Sequence, residues 1–109
     1  MFVCLKIKTL SAYEIKELFK RGGKIKGRYI SLRYLNTGEK KVGVGAYGKV
    51  KSKPVRNRIK RRLRELFRLN WDILPDFYIF MVGRSAAAEV EWKKLEKDFL
   101  RLIEVMKKS

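Results

Sequence analysis

From residue 10 to 21 the apolar positions Ile15, Leu18 and Phe19 recur at helical spacing. Ser11-Ala12-Tyr13-Glu14 fits a capping box, with Ser11 as N-cap and Glu14 at N3. Leu10 and Ile15 stand where a hydrophobic staple forms, and Gly22 follows as a C′ residue. A first helix is therefore expected over 12–21. From 25 to 35 the period falls to two, with Ile30, Leu32 and Tyr34 alternating with Tyr29, Ser31 and Arg33, as in a strand. Asn36-Thr37-Gly38-Glu39 reads as a turn. A second strand follows over 41–47, with Val42, Val44 and Ala46 on one face and Gly43 and Gly45 on the other. The two strands are expected to pair as an antiparallel hairpin. Glycines on a strand face let another backbone approach closely.

A basic connection containing Pro54 leads into a second helix over about 55–70, where Ile59, Leu63, Leu66 and Phe67 form one apolar stripe. After a loop around Pro75, the uninterrupted apolar run from Phe77 to Val82 suits a buried central strand. A third helix is expected over 86–107, from the helical spacing of Ala88, Trp92, Leu95, Phe99, Leu102, Ile103 and Met106. Helix, strand, strand, helix, strand, helix is an α+β sandwich with helices against a small sheet. With 109 residues, no repeats and no long linker, residues 1–109 read as one domain.

Charge changes this picture most. The formal net charge is +17, an excess that points to a polyanionic partner, nucleic acid before an acidic membrane. Residues 1–48 carry 11 basic and 3 acidic groups, residues 49–68 carry 10 and 1, and residues 69–109 carry 7 of each. The footprint is therefore expected in the first two-thirds of the chain. Cys4 is the single cysteine and there is no histidine, which excludes an internal disulfide, a zinc finger and a His-dependent triad. No apolar run is long enough to span a membrane, and the first five residues lack the charged start of a secretory signal, so a cytoplasmic protein without membrane contact is expected.

The second helix carries Arg56, Arg58, Lys60, Arg61, Arg62, Arg64 and Arg68 against Glu65 alone. A merely solvated face mixes signs for i, i+4 pairing; this one repels itself unless phosphates neutralise it. Arginine outnumbers lysine there, as suits bidentate phosphate contacts and base stacking. Asn57 stands among them as an uncharged group able to bond a base edge, a 2′-hydroxyl or a metal-bound water, or to cap the helix. Arg56, Lys60 and Arg64 flank the apolar stripe on one side.

Gly43-Val44, Lys49-Val50 and then Val55-Arg56-Asn57-Arg58-Ile59-Lys60-Arg61-Arg62-Leu63-Arg64-Glu65 resemble the signature of the bacterial ribonuclease P protein family. Phe19 ahead of Gly22 and the Phe77–Val82 strand ending in Arg84 fit the same pattern, so the resemblance covers roughly residues 10–105. It implies a left-handed βαβ crossover, shared with a domain of a small-subunit ribosomal protein, against the general right-handed rule. It also implies a subunit of an endoribonuclease whose catalytic component is an RNA, acting in 5′ maturation of precursor tRNA. The chain itself then carries no catalytic residue. Arg56, Asn57, Arg58, Lys60, Arg61, Arg62 and Arg64, with Lys49 and Lys53, would bind RNA. Arg58, Arg61 and Arg62 are expected on the catalytic RNA, and Arg56, Lys60 and Arg64 at the edge of a cleft. That cleft, between the first helix and the sheet, would take the single-stranded leader at Phe19, Ile15, Tyr29 and Arg33. Ile15 stands where the family usually has an aromatic residue. Mg²⁺ would be held mainly by the RNA, with Asn57 reaching it through RNA-bound ion contacts, and one protein monomer would serve each RNA. Two other readings stay open: a structural RNA-binding protein of ribosomal type, and a DNA-binding module using the second helix in a major groove, which would need a short helix and turn before it.

Overall fold

The computed structural model describes residues 8–108. Cys4 and the first five residues, read above for disulfide chemistry and a secretory signal, lie outside them. Helix α1 spans Ala12–Arg21 and carries both halves of the capping box: Ser11 Oγ accepts from the Glu14 amide, and Glu14 Oε1 accepts from the Ser11 amide at 2.8 Å. Gly22 ends the helix in an extended conformation, φ −86°, not in the left-handed form expected of a C′ glycine. Space is the reason for glycine there: a Cβ would lie 2.4 Å from the Tyr34 carbonyl oxygen.

Four strands follow, β1 (Gly23–Lys26), β2 (Ile30–Asn36), β3 (Lys41–Ala46) and β4 (Phe77–Gly83), in the sheet order β1-β2-β4-β3. Two expectations are corrected here. The strand predicted over 25–35 folds back on itself at residues 27–29, where the Gly27 amide donates to the Ile30 carbonyl at 2.8 Å. The predicted hairpin between the strands either side of Asn36-Thr37-Gly38-Glu39 does not form. β4 lies between them, antiparallel to β2 and parallel to β3. An all-apolar strand belongs at the centre of a sheet, where both of its faces are covered, and the turn is tied to the start of β4 by the Gly38 amide donating to Asp76 O at 3.0 Å.

Helix α2 (Lys53–Leu69) joins β3 to β4, with Pro54 inside its first turn. It buries the four residues of the expected stripe, Ile59, Leu63, Leu66 and Phe67. Helix α3 begins at Trp92 and runs to Lys107, because residues 85–88 form a separate 3₁₀ turn instead of extending it backwards. The carbonyls of Ala87 and Val90, which a continuous helix would use for its own amides, accept from the Arg62 guanidinium at 2.7 Å each. Ile30, Leu32, Ile79 and Met81 on one face of the sheet pack with α2 and α3, and Phe67 meets Phe99 edge-on at 5.7 Å. Because strand side chains alternate, Tyr78, Phe80 and Val82 point to the opposite face, where α1 lies.

Candidate nucleic-acid interface

Glu14 fixes α1 on that open face. While Oε1 closes the capping box, Oε2 accepts from Lys41 Nζ at 2.6 Å and from the Tyr78 hydroxyl at 3.1 Å. The Lys41 ammonium beside it, with the Ser11 amide, lowers the Glu14 carboxyl from 4.5 to about 2, and Glu14 in turn raises Lys41. So anchored, α1 covers part of the face and leaves a cleft of about 240 Å³ beside it. Phe19 stands 45% exposed at its lip, edge-on to Phe80 with ring centroids 5.6 Å apart. The Arg33 guanidinium lies 4.3 Å over the Phe19 ring. Lys24, Ser31, Leu32, Tyr47, Val82 and Arg84 complete the lining.

The two strand glycines admit a side-chain ring here, not the backbone expected against them. A Cβ on Gly43 would come 2.8 Å from the Phe80 ring, and one on Gly45 would come within 3.2 Å. They make room for that ring against β3. Of the cleft residues expected from sequence, Phe19 and Arg33 come together. Ile15 is half-buried on α1 and borders a shallow outer pocket with Tyr13 and Phe19. Tyr29 does not join them. It belongs to the β1–β2 turn and packs against the core beside α3. Phe80, Tyr47 and Lys24 were not foreseen; Phe80 was hidden inside a continuous apolar run.

Along α2 the arginines divide by what they touch. Arg62 gives both terminal nitrogens to the carbonyls of Ala87 and Val90, lies 5.7 Å from the Trp92 ring and is half-buried. Burial, and Arg58 nearby, lower its pKa. These contacts give Arg62 a place in the packing of the fold itself. Arg56 likewise donates to the Tyr47 and Val50 carbonyls, at 3.2 and 2.9 Å, and holds the loop before the helix. Arg68 pairs with Glu65 at 3.0 Å, which lowers the carboxyl and raises the guanidinium. Lys49, Lys53, Asn57, Arg58, Arg61 and Arg64 remain exposed, and Lys60 half-buried, with no side-chain bond among the described residues. Asn57 falls five residues into the helix, past any capping position. Arg64 reaches the β3 edge, beside Thr9, Val42 and Phe67. A helix-turn-helix would need a helix directly before α2; β3 and an irregular loop stand there instead.

This geometry has relatives. The structure overlays an RNase P protein from Staphylococcus aureus with a TM-score of 0.78 at 17% identity, over 92% of this chain and 94% of that one. It overlays the RNase P protein from Thermotoga maritima with 0.76 at 22%, over 88% and 94%. In sequence, the ribonuclease P protein component of Thermus thermophilus is 32% identical over 98 residues, or 90% of this chain. The chain spans 59% of that relative's length. The component from a Thermoanaerobacter species is 30% identical over 89% of this chain and 86% of its own. The family model described as Ribonuclease P matches residues 6–107. With its α+β fold and a match across nearly its whole length, the chain belongs to the ribonuclease P protein family.

Proposed function

We propose that this chain is the protein subunit of a ribonuclease P ribonucleoprotein, binding the catalytic RNA and the single-stranded 5′ leader of precursor tRNA. The observation that carries the reading is the cleft of Phe19, Phe80 and Arg33 on one face of the sheet, together with α2 on the other, where Lys53, Arg58, Lys60, Arg61 and Arg64 have no ion-pair partner among the described residues. Leader bases stack against the aromatic rings, and Lys24, Arg33 and Arg84 meet the phosphates between them. Lys49, Lys53, Arg58 and Arg61 dock on the RNA subunit, with Lys60 and Arg64 at the flank towards β3. Phosphodiester hydrolysis belongs to the RNA and its Mg²⁺. Among so many cations Asn57 offers a single neutral oxygen, which fits contact with a metal-bound water better than direct coordination. One protein serves one RNA, in the cytoplasm. The cationic surface neutralises phosphates that Mg²⁺ would otherwise screen. Adding the protein to a bacterial ribonuclease P RNA should therefore raise precursor-tRNA cleavage most at low Mg²⁺; no stimulation by a folded sample overturns the assignment. Equal binding of leader-bearing and mature tRNA by the complex would remove the leader from the cleft.

A further inference from the structure

The C-terminal third carries no net charge, yet the fold sorts its charges. Lys94, Lys97 and Arg101 share one face of α3, spread over about 10 Å at about 1.5 Å per residue. Arg28 and Tyr29, from the β1–β2 turn, face them across a groove of about 590 Å³. Glu96 stands about 100° or more away around the helix from all three, and Glu91 and Glu104 flank the row only beyond its two ends.

The acid inside the groove is already spoken for. Asp98 is 6% exposed and accepts from the backbone amides of Arg28, Tyr29 and Ile30 at 3.1, 2.9 and 3.3 Å. Arg101 Nη2 also donates to Oδ1, the oxygen the Arg28 amide reaches, at 3.1 Å. Arg28, Lys94 and Lys97 join no ion pair among the described residues. The groove therefore carries cations in excess of what its own carboxylate needs.

It also continues the cleft. Arg84, part of the cleft lining, donates to the carbonyls of Gly27 and Arg28 at 3.1 Å each. The same turn that borders the cleft at Arg84 thus borders the groove at Arg28 and Tyr29. We infer that the groove between the β1–β2 turn and α3 is a second phosphate track for single-stranded RNA, taking the strand that leaves the cleft past Arg84. The inference rests on the leader-binding reading above. A strand lying there is held by charge alone, without base readout.

The test uses the protein assembled with a bacterial ribonuclease P RNA and two precursor tRNAs, with leaders of about 5 and about 15 nucleotides. Glutamine keeps the helix propensity of lysine, so Lys94→Gln with Lys97→Gln changes charge on an exposed surface. This variant should weaken binding of the long-leader substrate at least about threefold. It should also make the fall of log K with log salt shallower by about 1.4, for two single-strand phosphate contacts. The short-leader substrate should bind as before, and Lys97→Glu should deepen the loss for the long leader. An unchanged long-leader affinity, or an equal loss for both leaders, overturns the phosphate track. If the unaltered protein gives no preference for either leader over mature tRNA, the cleft reading itself fails, a result separable from the failure of the groove.

Discussion

Arg58 and Arg62 stand one turn apart on α2 and carry the same group, but their surroundings give them opposite work. Arg62 is held by two carbonyls and the Trp92 ring, whereas Arg58 and Arg61 project into solvent. Replacing Arg62 by alanine leaves the Ala87 and Val90 carbonyls without their donor where the 3₁₀ turn meets α3. A loss of about 2 kcal/mol is expected, in the range of hydrogen bonds to charged groups. Arg62→Lys keeps the charge but cannot span both carbonyls, so it should recover only part. In moderate salt, where their mutual repulsion is screened, Arg58→Ala with Arg61→Ala should leave stability within about 0.5 kcal/mol and make the salt dependence of RNA affinity shallower. Denaturant melts and salt titrations of the two variants check the contrast. An unfolding midpoint unmoved by Arg62→Ala would return that residue to the binding face.

Two carboxylates dock the outer elements on the sheet, Glu14 for α1 and Asp98 for α3. Burial opposes the charge on Asp98, but the Tyr29 and Arg28 amides, Arg101 and the Ile30 amide outweigh it and lower its pKa. Both groups give up their proton more readily folded than unfolded, so both stabilise the fold above the ordinary carboxylate range. That stability is lost as pH falls through the folded values. For Glu14 the window runs from 4.5 down to about 2. Acid titration should therefore loosen α1 and open the cleft before the α2 core melts. Glu14→Gln should remove that component of the pH profile, and an identical profile would show that the Lys41 pair does not hold α1. The helices were legible because their signals are local: a capping box at Ser11 and Glu14, and a stripe from Ile59 to Phe67. Strand pairing was not, since alternation tells which face a residue takes and not which strand lies beside it. Tyr29 was misplaced because the alternation was carried through a turn, where its phase breaks. Phe80 left a trace after all. Two glycines on one face of β3 call for a bulky side chain on whichever strand lies next to them.

Across the whole molecule the net charge of +17 works against the compact state, because folding gathers like charges that the extended chain keeps apart. The cost concentrates on α2, where Lys53, Arg58, Arg61 and Arg64 crowd one helix without acidic neighbours, Glu65 being taken by Arg68. Arrangements of this kind persist when a polyanion removes the repulsion, so binding and folding should be coupled. The free protein is expected to melt lowest in dilute buffer and to gain stability as a short single-stranded RNA is added, its midpoint rising with the logarithm of RNA concentration. Arg58→Ala with Arg61→Ala should do two opposite things. It should raise the melting temperature of the free protein at low salt, because two repelling groups are gone. It should also reduce the further rise that RNA produces, because two phosphate contacts are gone with them. A structural role for these arginines would move both quantities down together. Only residues kept for a partner at the expense of the free fold move them apart.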